Sequence, residues 1–385
     1  PTKEVGPVSL LWTLRNAYSR TGAKCLTLEK SVMKKSLVAL AAMSVIGAVS
    51  AQSTVTLYGL ADAYIASERI GTARTATTPG VNGVTQTRIS SGGLNGSRWG
   101  LRVSEDLGGG LAAIAQVESG FDISTGTQQQ NALFGRQAFV GLKSGFGTVA
   151  LGRQYGPYDD MKGVLSLQGN SSFDATGGSY SGMTYKESIG AWRGYNPRID
   201  NSLKFQSNNY SGLSFSAIYG MGENKRSNAS ASSTVGLGGM YANGPITVGL
   251  VYQNEGYARG LAGVGNGKNE IENTLIAGAY NFGVAKVGGG YNEARTRVNG
   301  ASSPKAKEWF LGLSAPLGAT TFKIQYAESK IGNNKNDSIA FEALYDLSKR
   351  TTAYVGYNIS NFDNVGPTGG DMKDRRAGVG IRHRF

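Results

Sequence analysis

From Gln52 onward the chain alternates apolar and polar positions with a period of two, which predicts strands with one greasy face and one wet face. In 97–105, Trp99, Leu101 and Val103 fall on one side, and Arg98, Arg102 and Ser104 on the other. Leu203 and Phe205 oppose Ser202, Lys204, Gln206 and Asn208. Phe322, Ile324 and Tyr326 oppose Lys323 and Gln325, and Ile339, Phe341, Ala343, Tyr345 and Leu347 oppose Ser338, Glu342 and Asp346. The chain ends GVGIRHRF, with Val379, Ile381, His383 and Phe385 on one side and Arg382 and Arg384 on the other. The wet face repeatedly carries full charges, even at the carboxyl terminus, where ends usually fray. No convincing amphipathic helix is legible after Gln52.

Short turn signals punctuate the strands: DLGGG (106–110), SGFG (144–147), NYSG (209–212), NGP (243–245), NFG (281–283), PLG (316–318) and LSKR (347–350). Gly, Asn and Pro supply the backbone angles that tight hairpins need. Between consecutive turns there is room for two strands of about ten residues and one longer polar loop. Seven turns of this kind predict 16 strands. One interval, from SGFG to NYSG, runs to about 65 residues. Its excess, 156–198, is rich in Gly, Ser, Tyr and acids, and a loop this long is usually functional or disordered.

An even number of strands, apolar on one side and charged on the other, suits a closed barrel in lipid. Hydrocarbon offers backbone groups no partner, so the sheet must close on itself. Barrels of 16–18 strands leave an aqueous channel, and Tyr, Phe and Trp near strand ends fit interfacial girdles. A soluble propeller would show a repeated signature at each period, and none is present.

The leader changes the picture of the rest. Met33-Lys34-Lys35 precedes the apolar stretch 36–51, which ends Val49-Ser50-Ala51. That pattern predicts a secretory signal peptide over 33–51; the stretch is too short to span a bilayer as a helix. Residues 1–32 are then expected to be an upstream extension outside the native protein, with 52–385 forming the barrel. Removing 1–51 takes away seven Lys/Arg and two Asp/Glu, leaving 32 against 24, a net charge of +8. It also removes Cys25, the one cysteine of the chain, so no disulfide is expected. A basic excess points to nucleic acid, an acidic surface or an anion pathway, and export argues against nucleic acid.

Several stretches, taken in order, resemble the trimeric Gram-negative outer-membrane porins of the general-diffusion type, above all their β-proteobacterial branch. They are QSTVTLYGLADAYI (52–65), SRWGLRVSEDLGGGL (97–111), GTVALGRQYG (147–156), RIDNSLKF (198–205), NFGVAKV (281–287), LSKRT (347–351) and VGIRHRF (379–385). The resemblance covers nearly all of 52–385 and is weakest in the loops. It implies an all-β, 16-stranded antiparallel transmembrane β-barrel with short periplasmic turns, long outer loops and a third loop folded into the lumen. It implies a homotrimer in the cell outer membrane, in contact with lipid and lipopolysaccharide, passing small hydrophilic solutes and ions by passive diffusion. It also implies that Phe385 is part of the signal read by the barrel assembly machinery.

In that family an arginine cluster on the wall faces acids on the inward loop. The matching wall residues are Arg98, Arg136, Arg153 and Arg198. Parity supports Arg98 and Arg198. Arg153 shares parity with Val149 and Leu151, which argues against the lumen unless a bulge re-aims it. The loop candidates are Asp159, Asp160 and Asp174, with Glu187 behind them. The family's Pro-Glu-Phe-Gly-Gly loop segment is absent, and SSFDATGGS (171–179) stands there instead. With few opposing acids, anion preference is expected.

Other functions make different demands. A barrel hydrolase needs an activated nucleophile and base, yet the one histidine, His383, has lipid-facing parity. No catalytic residue, metal site or cofactor is expected. A substrate-specific porin for sugars or organic anions could use Tyr180, Tyr185, Trp192 and Tyr195 as a track. A plugged structural or adhesive barrel would differ from a pore only in conductance.

Overall fold

The computed structural model describes residues 53–69, 85–169, 171–177, 191–192, 194–222, 233–256, 270–298, 300–363 and 371–385. The expected upstream extension 1–32, the expected signal peptide 33–51, and Tyr180, Tyr185 and Glu187 lie outside them.

The strands are β1 (Thr54–Arg69), β2 (Thr85–Ser91), β3 (Arg98–Gly108), β4 (Leu111–Gly120), β5 (Gln137–Ser144), β6 (Gly147–Tyr155), β7 (Arg198–Ser207), β8 (Leu213–Gly220) and β9 (Thr234–Asn243). They continue with β10 (Ile246–Gly256), β11 (Glu270–Asn281), β12 (Lys286–Val298), β13 (Ala301–Ser302), β14 (Ala306–Leu317), β15 (Thr320–Ile331), β16 (Asn334–Asp346), β17 (Thr351–Phe362) and β18 (Met372–Arg384). Both β2 and β3 pair with β1, as two halves of one interrupted strand, and β13 extends β14 along β12. The 18 segments therefore make 16 wall strands, each antiparallel to its neighbours. Pairing of β1 with β18 closes the barrel.

All seven short turns connect consecutive strands. Alternation is clearest in β14, where Ala306, Glu308 and Phe310 are buried while Lys307, Trp309 and Leu311 are exposed. Directly paired residues face the same way, so each register line is a ring of inward or outward side chains. Apolar side chains such as Leu57, Leu151, Leu237, Leu311 and Val379 are more than half exposed on the outer wall. This inverts the pattern of a water-soluble protein, because hydrocarbon takes the outer face.

Two expectations differ. The connection between β15 and β16 is not a long polar loop: Ile331 pairs Asn334, so the strands run on to a tight turn. Lys335, outside the strand stretches read from the sequence, is paired across that ladder, its Nζ 3.0 Å from Glu328 Oε2. There is also a helix, α1 (Pro157–Leu165), inside the long connection between β6 and β7. Pro157 opens it, and Asp159 and Asp160 occupy its first turn, a favourable arrangement for a helix start. Tyr158, Met161, Lys162 and Leu165 are buried, a single face at helical spacing.

That face seats the loop in the lumen. Tyr158, Met161 and Leu165 pack with Val251, Leu275, Ala277, Phe310, Ala327 and Ala340 from the inner wall. Gly249 has no side chain to obstruct this: a Cβ there would lie 2.6 Å from Met161 Sδ. A second cluster joins Phe173, near the far end of the described loop, to Tyr64, Ala66, Leu94 and Tyr354. Part of the inner wall is thus dry and carries the loop, while the wall around β1 and β3–β7 keeps its charges.

Candidate functional site

Three of the four wall arginines converge. Arg98 opens β3 opposite Leu60 of β1 and Gly120 of β4. Arg136, just before β5, donates from Nε to Glu118 Oε1 at 2.7 Å and from Nη2 to the Tyr155 hydroxyl at 2.6 Å. Arg198 opens β7 and donates from Nη2 to that same hydroxyl at 3.0 Å, its guanidinium 4.9 Å from the ring centre. Arg98 is close enough to feel both charges. Arg136 and Arg198 are 6% and 7% exposed, so bulk water screens them poorly. At the spacing imposed by one shared hydroxyl, two guanidiniums repel by about 3 kcal/mol at an effective dielectric of about 20. An anion placed between them would relieve that repulsion.

Glu118 is the acid that holds the group together. Besides Arg136 it accepts the Tyr58 hydroxyl at 2.8 Å. Tyr58 in turn accepts from Gln116 Nε2 at 2.7 Å and lies under the Arg102 guanidinium at 4.0 Å. A cavity of about 330 Å³ opens here, lined among others by Arg98, Arg102, Arg384, Glu118 and Tyr155. Glu118, Tyr155, Arg102 and Tyr58 were not singled out as site residues by the sequence reading. Alternation in 114–118 does put Gln116 and Glu118 on one face, but only the fold brings Tyr155 between two arginines.

Arg153 does not join them. The β6–β7 register shifts between Gly152 and Gln154. Tyr155, after the bulge, pairs Arg198, while Arg153, within it, pairs the outward-facing Ala138. The Arg153 side chain donates to the Gly135 carbonyl at 2.7 Å and forms an ion pair with Asp200. Past the bulge, whose extra residue is on β7 between Ile199 and Ser202, Tyr155 lines the arginine cavity, while Arg153 keeps the parity of Leu151 with Ala138 as its partner.

The loop acids have three different settings. Asp160, on the exposed side of α1, is paired with Lys204 of β7 at 2.5 Å, and that ammonium also donates to the Tyr155 carbonyl at 2.9 Å. Asp159 is half-buried and accepts the Tyr195 hydroxyl at 2.6 Å. Desolvation raises its carboxyl above the ordinary 3.8, against the pull of that hydroxyl, Arg198 and Lys162. Arg136 also feels the Asp159 charge, so among the described loop acids Asp159 is the one that faces the arginines. Asp174 is buried and turned inward. It pairs with Lys162 at 3.1 Å and accepts from Ser166, Gln325 and both donors of Thr176. It braces the loop rather than projecting into open lumen.

The described aromatic residues of the loop pack it to the wall. Trp192 lies 5.6 Å from Phe310 and its Nε1 donates to the Trp309 carbonyl at 3.4 Å. Tyr195 lies 4.5 Å from Tyr158. At the chain end, Phe385 and Gly59 exchange both backbone hydrogen bonds at 3.0 Å. The Phe385 ring occupies the space a Gly59 Cβ would need, 2.4 Å from it. Among the described residues no group of three or more His, Cys, Asp or Glu is arranged to hold a metal.

Comparisons with known proteins agree with this geometry. A family model described as Gram-negative porin matches residues 36–365. An outer membrane porin protein of Bordetella pertussis is 32% identical over 405 residues, covering 92% of this chain and 100% of its own length. Outer membrane porin protein 32 of Delftia acidovorans is 31% identical over 379 residues, with the same coverage of 92% and 100%. Among solved structures, an anion-selective porin from Comamonas acidovorans aligns with a TM-score of 0.70 at 25% identity, covering 87% of this chain and 100% of its own.

Proposed function

The chain belongs to the Gram-negative porin family, channels of the outer membrane rather than enzymes, and from that premise we propose that it forms a passive, anion-preferring diffusion pore whose selectivity is set at Arg98, Arg136 and Arg198. The observation that carries this reading is the uneven fate of the charges. Arg136 and Arg198 share the Tyr155 hydroxyl, Arg136 is paired with Glu118, and Arg98 lines an open cavity beside Glu118 and Tyr155. Asp174 and Asp160 are paired with Lys162 and Lys204. Guanidiniums stay charged at any working pH, so a narrow slot lined by them lowers the energy of anions and raises that of cations. The kinship with an anion-selective porin supports the same sign.

The mature protein is read as a homotrimer, embedded in outer-membrane lipid and lipopolysaccharide, with Phe385 recognised during barrel assembly. Burial of Trp192 and Tyr195 against the wall leaves neither free as a sugar track.

Reversal potentials across planar bilayers in a KCl gradient test the proposal. Wild type should prefer chloride. Arg98→Ser and Arg198→Ser should each lower the chloride-to-potassium permeability ratio severalfold, whereas Arg153→Ser should leave it unchanged. A cation-preferring wild type would overturn the arginine-dominated slot.

A further inference from the structure

The wall strand opposite β1 is interrupted: β2 stops at Ser91, β3 begins at Arg98, and Gly92–Ser97 leaves the ladder. One residue of β1 gathers this segment. Asp62 is fully buried. Its carboxylate accepts the backbone N–H groups of Gly93 at 3.0 Å, Leu94 at 2.9 Å and Asn95 at 2.8 Å, together with the Tyr354 hydroxyl. Its carbonyl accepts Gly92 N–H at 2.8 Å and Ser97 Oγ at 3.1 Å, and its own N–H donates to Ser97 Oγ at 3.0 Å. A carboxylate with several N–H donors is a strong, charge-assisted arrangement. Gly92 has a φ of 82°, and a Cβ on Gly93 would lie 2.1 Å from the Tyr354 oxygen. The segment is therefore built to turn inward at that place.

The carbonyls that the turn presents are occupied by the constriction loop. Ser172 donates its N–H to Gly93 O and its hydroxyl to Gly92 O, both at 2.8 Å. Arg376 of β18 then donates to Ser172 O at 2.7 Å. Phe173, fully buried, lies edge-on to Tyr64 at 5.6 Å and Tyr354 at 6.5 Å, with Leu94 in the same cluster. Its ring rests on Gly356, where a Cβ would come within 2.3 Å, and Asn358 Nδ2 donates to its carbonyl at 3.0 Å. Arg382, next to these residues, donates to the Asn95 side chain at 2.8 Å.

We infer that the strand break is a socket for the far end of the constriction loop, and that Asp62 is the positioning residue that sets pore width and ion preference through it. Asp62 touches neither solute nor the arginine cluster. It acts by fixing the turn, which fixes Ser172 and Phe173, while α1 fixes the near end. The loop is then held at two places and behaves as a strut across the lumen. The carboxylate is fully engaged by its donors, so its charge serves the socket rather than the permeation path. The width-and-preference part rests on the channel reading above; the mechanical part does not.

The test uses the folded protein in detergent and in planar bilayers, with Asp62→Asn, Tyr354→Phe and Ser172→Ala. Amide exchange read by mass spectrometry should quicken in 171–177 by about tenfold or more for Asp62→Asn, as loss of a charge-assisted hydrogen bond predicts. The barrel strands should keep their wild-type protection. Tyr354→Phe and Ser172→Ala should move the same peptides less, and Asp62→Asn with Ser172→Ala should open no further than Asp62→Asn alone. In the bilayer, Asp62→Asn should raise open-channel current noise and shift the reversal potential. Wild-type exchange in 171–177 for Asp62→Asn overturns the socket. If that variant does not fold, wild-type exchange in both Tyr354→Phe and Ser172→Ala overturns it. A loosened loop with unchanged noise and reversal potential overturns the positioning role. A wild type that does not conduct removes the channel reading, while the exchange result still decides the socket.

Discussion

At the scale of single residues, the acids show how little a charge count says about a field. Asp159, Asp160 and Asp174 lie within 16 residues of one another on the same loop, yet their partners differ: a tyrosine hydroxyl, a wall lysine and a buried lysine. The pH dependence of permeation should follow Asp159. Desolvation raises its carboxyl above 3.8, so as pH falls it takes up a proton before an exposed aspartate does. The folded state binds that proton more tightly than the unfolded chain. The group's contribution to stability is therefore fully present below pH 3.8 and is lost as pH rises through the raised folded value. The same proton cancels a negative charge opposite Arg198 and Arg136. Chloride preference should strengthen as pH is lowered from 7 towards 4, read from reversal potentials at each pH. Asp159→Asn should flatten that slope, and a full slope in the variant would assign it to another acid.

At the scale of elements, strand faces and short turns were legible because side-chain alternation is a local property of extended backbone. The charged face of β3, β7, β15 and β16 could be read residue by residue for that reason. The helix was not legible. Its buried residues are just Pro157, Tyr158, Met161, Lys162 and Leu165, a lysine among them, and nothing local says that Asp174 will meet that lysine. Arg198 was expected inward on parity, but the β7 bulge lies between it and Ser202, so alternation alone carries neither its direction nor the roles of Tyr155 and Arg153. The β15–β16 connection was misread because charged residues near a barrel rim look like loop even when paired in a ladder. The Lys162–Asp174 pair gives the helix its own test. Both side chains are almost wholly buried, and removing one partner of such a pair costs about 3–5 kcal/mol. Lys162→Met should thus melt the loop's attachment locally. Amide exchange should rise in 157–177 while the barrel's strand protection is kept. Unchanged exchange there would mean that the apolar seat alone holds the helix.

At the scale of the whole molecule, the outer wall has two faces. Every wall strand from β7 to β17 carries at least one outward aromatic residue: Phe205, Phe215, Tyr241, Tyr252, Tyr280, Tyr291, Trp309, Phe322, Phe341 and Tyr357 follow in turn. This is the girdle of a lipid-facing wall. On β1–β6, Trp99 is the outward aromatic among the described residues, and small side chains such as Ala61, Ala63, Ala113, Ala115 and Ala138 take the remaining places beside aliphatic ones. Lipid does not require small residues, but close approach of another wall does. The proposed trimer should therefore be built on β1–β6. A bulky side chain at Ala115, as in Ala115→Trp, should shift the detergent-solubilised protein from trimer to monomer in light scattering while the strand content by circular dichroism stays the same. Ala343→Trp, on the aromatic side of β16, adds the same bulk where lipid can yield and should remain trimeric. If both variants stayed trimeric, or if Ala343→Trp alone dissociated, the small-residue face would not be the one that the subunits share.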